Sequence, residues 1–183
     1  MNTIGRRHTS RQTVEAFELA KKCGFDNINM DLIAGLPGDT FSSFKNSVDT
    51  AVFLGASSIT VHTLAMKSSA YLVTSENKYD LSDKLLTSDM VEYSNEKLKQ
   101  NGYYPYYMYR QSKSVGNLEN VGWCKDNKDC LYNVYMMDET HSVFAVGAGG
   151  VTRLKNQDTG KIERIYNCLL YTSDAADDLT RGD

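Results

Sequence analysis

No stretch of the 183-residue chain reaches the roughly 18 consecutive apolar residues of a membrane-spanning helix. Nor do its opening residues join a charged start, an apolar run and a small-residue cleavage site, so neither a membrane span nor a secretory leader is expected and the cytoplasm is the default location. The four cysteines, Cys23, Cys124, Cys130 and Cys168, have neither the close pairing of a zinc site nor the density of a disulfide scaffold, and read as reduced structural thiols. A formal net charge of -3 with scattered basic residues leaves out the basic stripe of a nucleic-acid binder. There is no Gly-x-Gly-x-x-Gly opening a helix and no Walker-type Gly-Lys-Ser/Thr, which removes the usual phosphate cradles. No Ser-His-Asp or Cys-His set can be assembled, and neither an internal repeat nor a low-complexity segment stands ahead of the tail.

That tail, from Cys168 to Asp183, loses all periodicity after its first residues. Cys168 to Asp178 resembles the conceptual translation of a transposon-end adaptor used in sequencing, and the segment is excluded from fold reasoning. Its four aspartates against Arg181 account for the whole acidity of the chain.

What is present is an alternation of helical and strand patterns. Thr9 and Gln12 have capping-box spacing, and Val14, Phe17 and Ala20 recur on one face until Gly24, which predicts a helix over 10–23. Ile28, Met30 and Leu32 alternate with Asn27, Asn29 and Asp31 and run into Gly35-Leu36-Pro37-Gly38, a strand entering a tight loop. Thr40 caps a second helix whose stripe is Phe41, Phe44, Val48, Ala51 and Val52, closed by Gly55. A second strand follows from Ile59 to Ala65. Short loops between such units predict a parallel α/β sheet with ligand sites at the carboxyl ends of its strands, here Asp31 to Gly38 and Leu64 to Lys67. Residues 68–86 read as a connection and 88–100 as a helix presenting Met90, Val91 and Leu98. An aromatic segment, 103–110, precedes a loop around Gly116 and Gly122. Strands are expected at Tyr132–Met137 and Ser142–Val146, and Val151–Leu154 reads more like strand than helix.

Asp31 is the best candidate for chemistry, since a carboxylate in an otherwise apolar strand is expensive to bury without a partner. It would serve a ligand such as the hydroxyl pair of a ribose, or else an ion pair at the strand end. The Gly35–Gly38 loop permits close approach to the main chain, or is a tight turn. Arg6, Arg7 and His8 form a basic group able to meet a carboxylate, or a solvated turn. His62 reads as a satisfied core or lumen histidine rather than a metal ligand, and His141 as a turn residue. The tyrosines of 103–109, with Arg110 and Lys113, either line a pocket for a flat, acid-bearing substrate or pack as ordinary core and edge. Val146-Gly147-Ala148-Gly149-Gly150 lacks dinucleotide spacing and reads as a bulge or close backbone packing.

Taken in order and spacing, Ile4-Gly5-Arg6-Arg7-His8-Thr9, Asn29-Met30-Asp31-Leu32-Ile33-Ala34-Gly35-Leu36-Pro37-Gly38 and Phe44 resemble the oxygen-independent coproporphyrinogen III oxidase branch of the radical S-adenosylmethionine enzymes. Tyr106 to Gln111, Gly116 to Gly122 and Val146 to Gly150 are similar to the C-terminal region of its HemZ-like coproporphyrinogen dehydrogenase subgroup, so the resemblance spans almost all of 1–167. It implies an α/β fold in which 1–67 form the last units of a partial (β/α)6 barrel, 68–167 a smaller family-specific α/β region, and the front of the barrel is missing. By position it makes Arg6 a contact of S-adenosylmethionine, Asp31 the acid on its ribose side, and Ile33 and Ala65 neighbours of its adenosine. The implied reaction of the parent is oxidative decarboxylation of two propionates of coproporphyrinogen III to vinyls, giving protoporphyrinogen IX; the residues themselves offer the aromatic and basic region, including Arg110, to face the tetrapyrrole carboxylates. It also implies a [4Fe-4S] cluster held by Cys-x-x-x-Cys-x-x-Cys. That motif is absent and Cys124 and Cys130 have the wrong spacing, so the chain alone is expected to be inert. A haem-handling relative and a cluster-free α/β binding module are the alternative readings. A barrel cut open in this way is also expected to aggregate through its unpaired strand edges.

Overall fold

The computed structural model describes residues 8–65, 84–110 and 118–168. Arg6, Arg7, Lys67, Gly116 and the tail beyond Cys168 lie outside the described residues. The chain divides into two compact units between Cys130 and Leu131.

In the first unit, helix α1 (Ser10–Lys22) starts at the expected capping box: Gln12 N donates to Thr9 Oγ1 at 3.3 Å and Thr9 N to Gln12 Oε1 at 2.8 Å. Strand β1 (Asn29–Ala34) follows, then α2 (Phe41–Leu54), capped by Thr40 and ended by Gly55 in the left-handed region, then β2 (Ser58–Thr63). Helix α3 (Lys84–Gln100) begins a turn earlier than its apolar stripe suggested. Strand β3 (Tyr104–Tyr109) and strand β4 (Asn120–Cys124) complete the unit.

The sheet order is β1-β2-β4-β3. β1 and β2 are parallel and joined through α2, whereas β4 runs antiparallel to both β2 and β3. The expected boundary after residue 67 therefore falls inside one sheet, because β4 inserts beside β2. β4 itself was expected to be loop, and its Gly122 explains why: glycine weakens a strand signal, yet here it makes room for the ring of Tyr107.

One face of this sheet is covered. Met30, Leu32 and Ala34 of β1, Ile59 and Val61 of β2, and Val121 and Trp123 of β4 meet Phe17 of α1, Phe44, Val48 and Ala51 of α2, and Met90 and Leu98 of α3. Tyr103, just ahead of β3, is also core, its hydroxyl donating to Ala56 O at 2.5 Å. α2 and α3 are tied by Asp49, whose carboxylate takes Lys45 Nζ at 2.6 Å, Lys97 Nζ at 2.9 Å and the Tyr93 hydroxyl at 2.7 Å. Burial alone would raise the pKa of Asp49, but these donors hold it well below the usual carboxylate range.

The second unit departs further from expectation. Residues 131–138, read as a strand from Tyr132 to Met137, form helix α4 (Leu131–Asp138). β-Propensity of Val and Tyr is a weak guide where no neighbouring strand offers a ladder. The Ser142–Val146 segment pairs only through Val143 with Arg153. Strand β5 (Val151–Lys155) is as expected, and β6 (Ile162–Tyr166), which was not foreseen, closes a hairpin with it. A Cβ on Gly150 would stand 3.1 Å from Ala145 Cβ, Asn167 Nδ2 and Gly147 O, so this glycine of the run serves close packing, one of the two readings the sequence offered, while Gly147 and Gly149 take positive φ.

Candidate functional site

Side chains alternate across a pleated sheet, so each strand of the first unit sends every second residue away from the helices. The register sets Asp31 beside Thr60, Ile33 beside His62, Thr60 beside Gly122, and Gly122 beside Tyr107. The result is a polar, aromatic face made by Asn29, Asp31 and Ile33 of β1, Thr60 and His62 of β2, and Tyr107 and Tyr109 of β3.

Asp31 is not buried, contrary to the expectation for a carboxylate in an apolar strand: its side chain is 63% exposed, on the edge strand and on the face turned away from this unit's helices. Asn29 Nδ2 donates to Asp31 Oδ1 at 2.7 Å, and His62 Nε2 stands 3.6 Å from the same oxygen, an ion-pair contact longer than a hydrogen bond. His62 first, then Asn29 and Thr60, hold the Asp31 carboxyl below its ordinary value against the opposing effect of partial burial.

Behind Asp31 stand two tyrosines with rings stacked at 6.3 Å and 4°. The Tyr107 hydroxyl lies 3.2 Å from Thr60 Oγ1, and Thr60 Oγ1 donates to Asn29 Oδ1 at 3.2 Å. The Tyr109 hydroxyl lies 3.1 Å from His62 Nδ1. Burial pushes the Tyr107 phenol up to about 12 and raises that of Tyr109 as well, so both are neutral donors at ordinary pH. Gly122 lets the Tyr107 ring lie directly on the β4 backbone: a Cβ there would sit 1.8 Å from Tyr107 Cε1.

Ile33 and Ala65 are half-buried at the carboxyl ends of the parallel pair, where Leu64 N donates to Ala34 O at 3.0 Å. A cavity of about 450 Å³ opens on the side of β1 away from β2, with His8, Phe17, Asn29, Asp31 and Asn46 among its lining. Asp31 lines this cavity from the middle of β1, Ile33 and Ala65 stand at the carboxyl ends outside its lining, and Arg6 lies outside the described residues. Arg110, at the end of β3, is half-exposed and engages Glu119 at 3.0 Å. His62, read as a satisfied core or lumen histidine, lies on the polar face with a 25% exposed side chain and contacts Tyr109 and Asp31. The tyrosine cluster divides, with Tyr103 in the core and Tyr107 and Tyr109 on the polar face. In the sequence Asn29 reads only as part of the polar alternation of its strand and Thr60 has no site reading, although Asn29 shares the parity of Asp31.

No family model matches the chain. Over 167 residues it is 38% identical to the oxygen-independent coproporphyrinogen-III oxidase-like protein HemZ of Bacillus subtilis, which takes in 91% of this chain and 33% of that protein. The chain belongs with these oxidase-like proteins. The heme chaperone HemW of Bacillus subtilis is 28% identical over 152 residues, 82% of this chain and 37% of that one. Among solved structures, the coproporphyrinogen III oxidase HemN of Escherichia coli, described as a radical SAM enzyme, matches at a TM-score of 0.57 with 16% identity. That match covers 82% of this chain and 35% of the enzyme, and shows that the fold is part of the radical SAM fold. The chain spans about a third of the length of the relatives it matches.

The residues present fit a nucleoside better than a cluster. Asp31 offers an exposed anionic carboxylate whose protein contacts fall on Oδ1, which suits hydroxyl donors at Oδ2. No group of three or more His, Cys, Asp or Glu among the described residues is placed to hold a metal ion. Cys124 is buried, and burial followed by Asp129 pushes its thiol up to about 12, the opposite of what a thiolate ligand needs. No helix among the described residues is long and apolar enough to cross a membrane.

Proposed function

We propose that this chain is the late-barrel and C-terminal part of a radical S-adenosylmethionine enzyme of the coproporphyrinogen oxidase type, and that its own task there is to hold the adenosine end of the cofactor. In this reading Asp31 accepts the ribose hydroxyls, Ile33 and Ala65 flank the adenosine, and Arg6 meets the charged end. S-adenosylmethionine held by these residues would supply the chemistry of hydrogen abstraction from a propionate of coproporphyrinogen III in the whole protein, given a cluster for which this chain carries no ligand motif. The reaction of the whole protein is oxidative decarboxylation of two propionates to vinyl groups. Arg110 would face the carboxylates of that substrate, once released from Glu119.

The observation that carries this reading is the Asp31 carboxylate, anionic, exposed, bound by Asn29 and in contact with His62 on the polar face of the parallel pair, two residues ahead of Ile33 at its carboxyl end. Ligands of parallel α/β sheets gather at those ends. The chain carries no Cys-x-x-x-Cys-x-x-Cys, so its residues do not fit the cluster and it should not cleave the cofactor by itself.

The test is calorimetric titration of the chain with S-adenosylhomocysteine, together with an assay for 5′-deoxyadenosine from S-adenosylmethionine under a strong reductant. Binding that Asp31→Asn removes, with no 5′-deoxyadenosine, is the expected outcome. Binding untouched by Asp31→Asn refutes the assignment of the site. The HemW likeness keeps a second reading alive, a haem carrier; hemin binding in the same titration without nucleoside binding would favour it.

A further inference from the structure

Two chains of polar contacts run from β3 to Asp31, one hydrogen-bonded throughout and one ending in the 3.6 Å contact of His62 Nε2 with Asp31 Oδ1, and the chemistry of their members fixes the direction of both. A threonine hydroxyl has one proton. Because Thr60 Oγ1 gives it to Asn29 Oδ1, it must accept from the Tyr107 hydroxyl, and Asn29 then donates through Nδ2 to Asp31 Oδ1. An ionised carboxylate only accepts. In neutral His62 the proton therefore belongs on Nε2, toward Asp31, which leaves Nδ1 to accept from the Tyr109 hydroxyl. Both chains end at one oxygen, Asp31 Oδ1. Hydrogen bonds aligned in this way polarise one another. Gly122, which has no side chain to displace Tyr107, and the stacking of Tyr107 on Tyr109 hold the starting points of both chains on β3.

We propose that Tyr107 and Tyr109 are positioning residues for the nucleoside-binding carboxylate: acting through Thr60–Asn29 and through His62, they fix the rotamer of Asp31 and commit its Oδ1 to the protein, leaving Oδ2 for the ligand. The ligand side of this statement rests on the reading of Asp31 as the ribose-binding acid; the positioning of the carboxylate does not. It makes the strand that follows α3 part of the cofactor site, although no residue of β3 need touch the cofactor. The groups facing Asp31 from the elements around it are Asn29 on its own strand, Thr60 and His62 on β2, Tyr107 and Tyr109 on β3, and His8 ahead of α1, which lines the same cavity. Asn120 of β4 stands beside Tyr109.

The experiment uses the 183-residue chain and its Tyr107→Phe, Tyr109→Phe, His62→Gln and Tyr109→Phe/His62→Gln variants. Carbon-detected NMR of the Asp31 carboxyl follows its acid titration, ring-nitrogen shifts report the His62 tautomer, and backbone amide spectra of α2 and α3 verify folding. In the wild type His62 should carry its neutral-ring proton on Nε2. Tyr109→Phe should raise the Asp31 midpoint, and should have no further effect once His62 is glutamine, as for a residue acting only through another. Each tyrosine variant should weaken S-adenosylhomocysteine binding about fivefold, the ordinary net effect of one hydrogen bond. An Asp31 midpoint insensitive to both tyrosines, or additive effects of Tyr109→Phe and His62→Gln, overturns the proposal. Coupled titrations in a chain that does not bind S-adenosylhomocysteine would uphold the positioning role and sink the cofactor assignment instead.

Discussion

Replacing Gly122 with alanine should destabilise the first unit by about 2 kcal/mol, through a clash whose partner is a single ring. The added Cβ would stand 1.8 Å from Tyr107 Cε1, 2.4 Å from Cδ1 and 2.6 Å from Cζ, so the ring has to leave its place on β4. Its departure removes the hydrogen bond to Thr60, about 1 kcal/mol net, and the stack on Tyr109, about 1 kcal/mol more. Re-exposure of part of the ring adds about 1 kcal/mol, while alanine regains about 0.5–1 kcal/mol over glycine in a strand. Gly122 does not occupy the left-handed region, so backbone strain contributes nothing. Urea unfolding followed through Trp123, the sole tryptophan and 2% exposed on β4, reads the change. With a slope of about 2 kcal/mol per molar, the midpoint should fall by about 1 M. In a Tyr107→Ala background the same substitution should become stabilising by about 0.5 kcal/mol, since the obstacle is gone. A loss of equal size in both backgrounds would refute the reasoning.

Asp49→Asn should cost about 1–2 kcal/mol at pH 7, because it leaves Lys45, Lys97 and Tyr93 without their acceptor across α2 and α3. The folded state lowers this carboxyl, so its contribution is present above the unfolded value of about 3.9 and fades as pH falls below it; the wild-type advantage in urea midpoint should shrink accordingly. Burial pushes the Tyr103 and Tyr107 phenols up to about 12. Their unfolded counterparts ionise near 10, so stability should be intact below about pH 10 and be lost progressively toward pH 12, with tyrosinate absorbance rising together with unfolding.

The first three helices and the parallel pair were legible because their signals are local. Thr9–Gln12 and Thr40 announce helix starts, Gly24 and Gly55 announce ends, and Met30 and Leu32 alternate with Asn29 and Asp31 within reach of one another in the chain. β4 was illegible for the opposite reason: the purpose of Gly122 is Tyr107, a partner on another strand, so on sequence it looked like a turn residue. In the second unit, Tyr132 to Met137 has strand-like composition but no ladder to join, and helix α4 results. The site divided in the same way. Asp31 stood out by its chemistry alone, whereas Asn29, Thr60, Tyr107 and Tyr109 acquire roles only when the register lays four strands side by side. Arg110 was marked for its charge, and Glu119, which engages it, stands nine residues further along the chain.

The strand order also dictates when this face can come into being. β4 lies between β2 and β3 yet is last of the four in the chain, and the Thr63–Asn120 bond that helps pin it to β2 closes a separation of 57 residues. Pairings of that span form late, after local helices, since the entropy of closing the intervening loop must be met before the contact rewards it. During synthesis, β3 therefore emerges with no neighbour to bind, and the tyrosines reach Thr60 and His62 only once Cys124 has left the ribosome. A nascent chain stalled just before Asn120 would hold a finished β1-α2-β2 unit whose carboxylate is still unanchored.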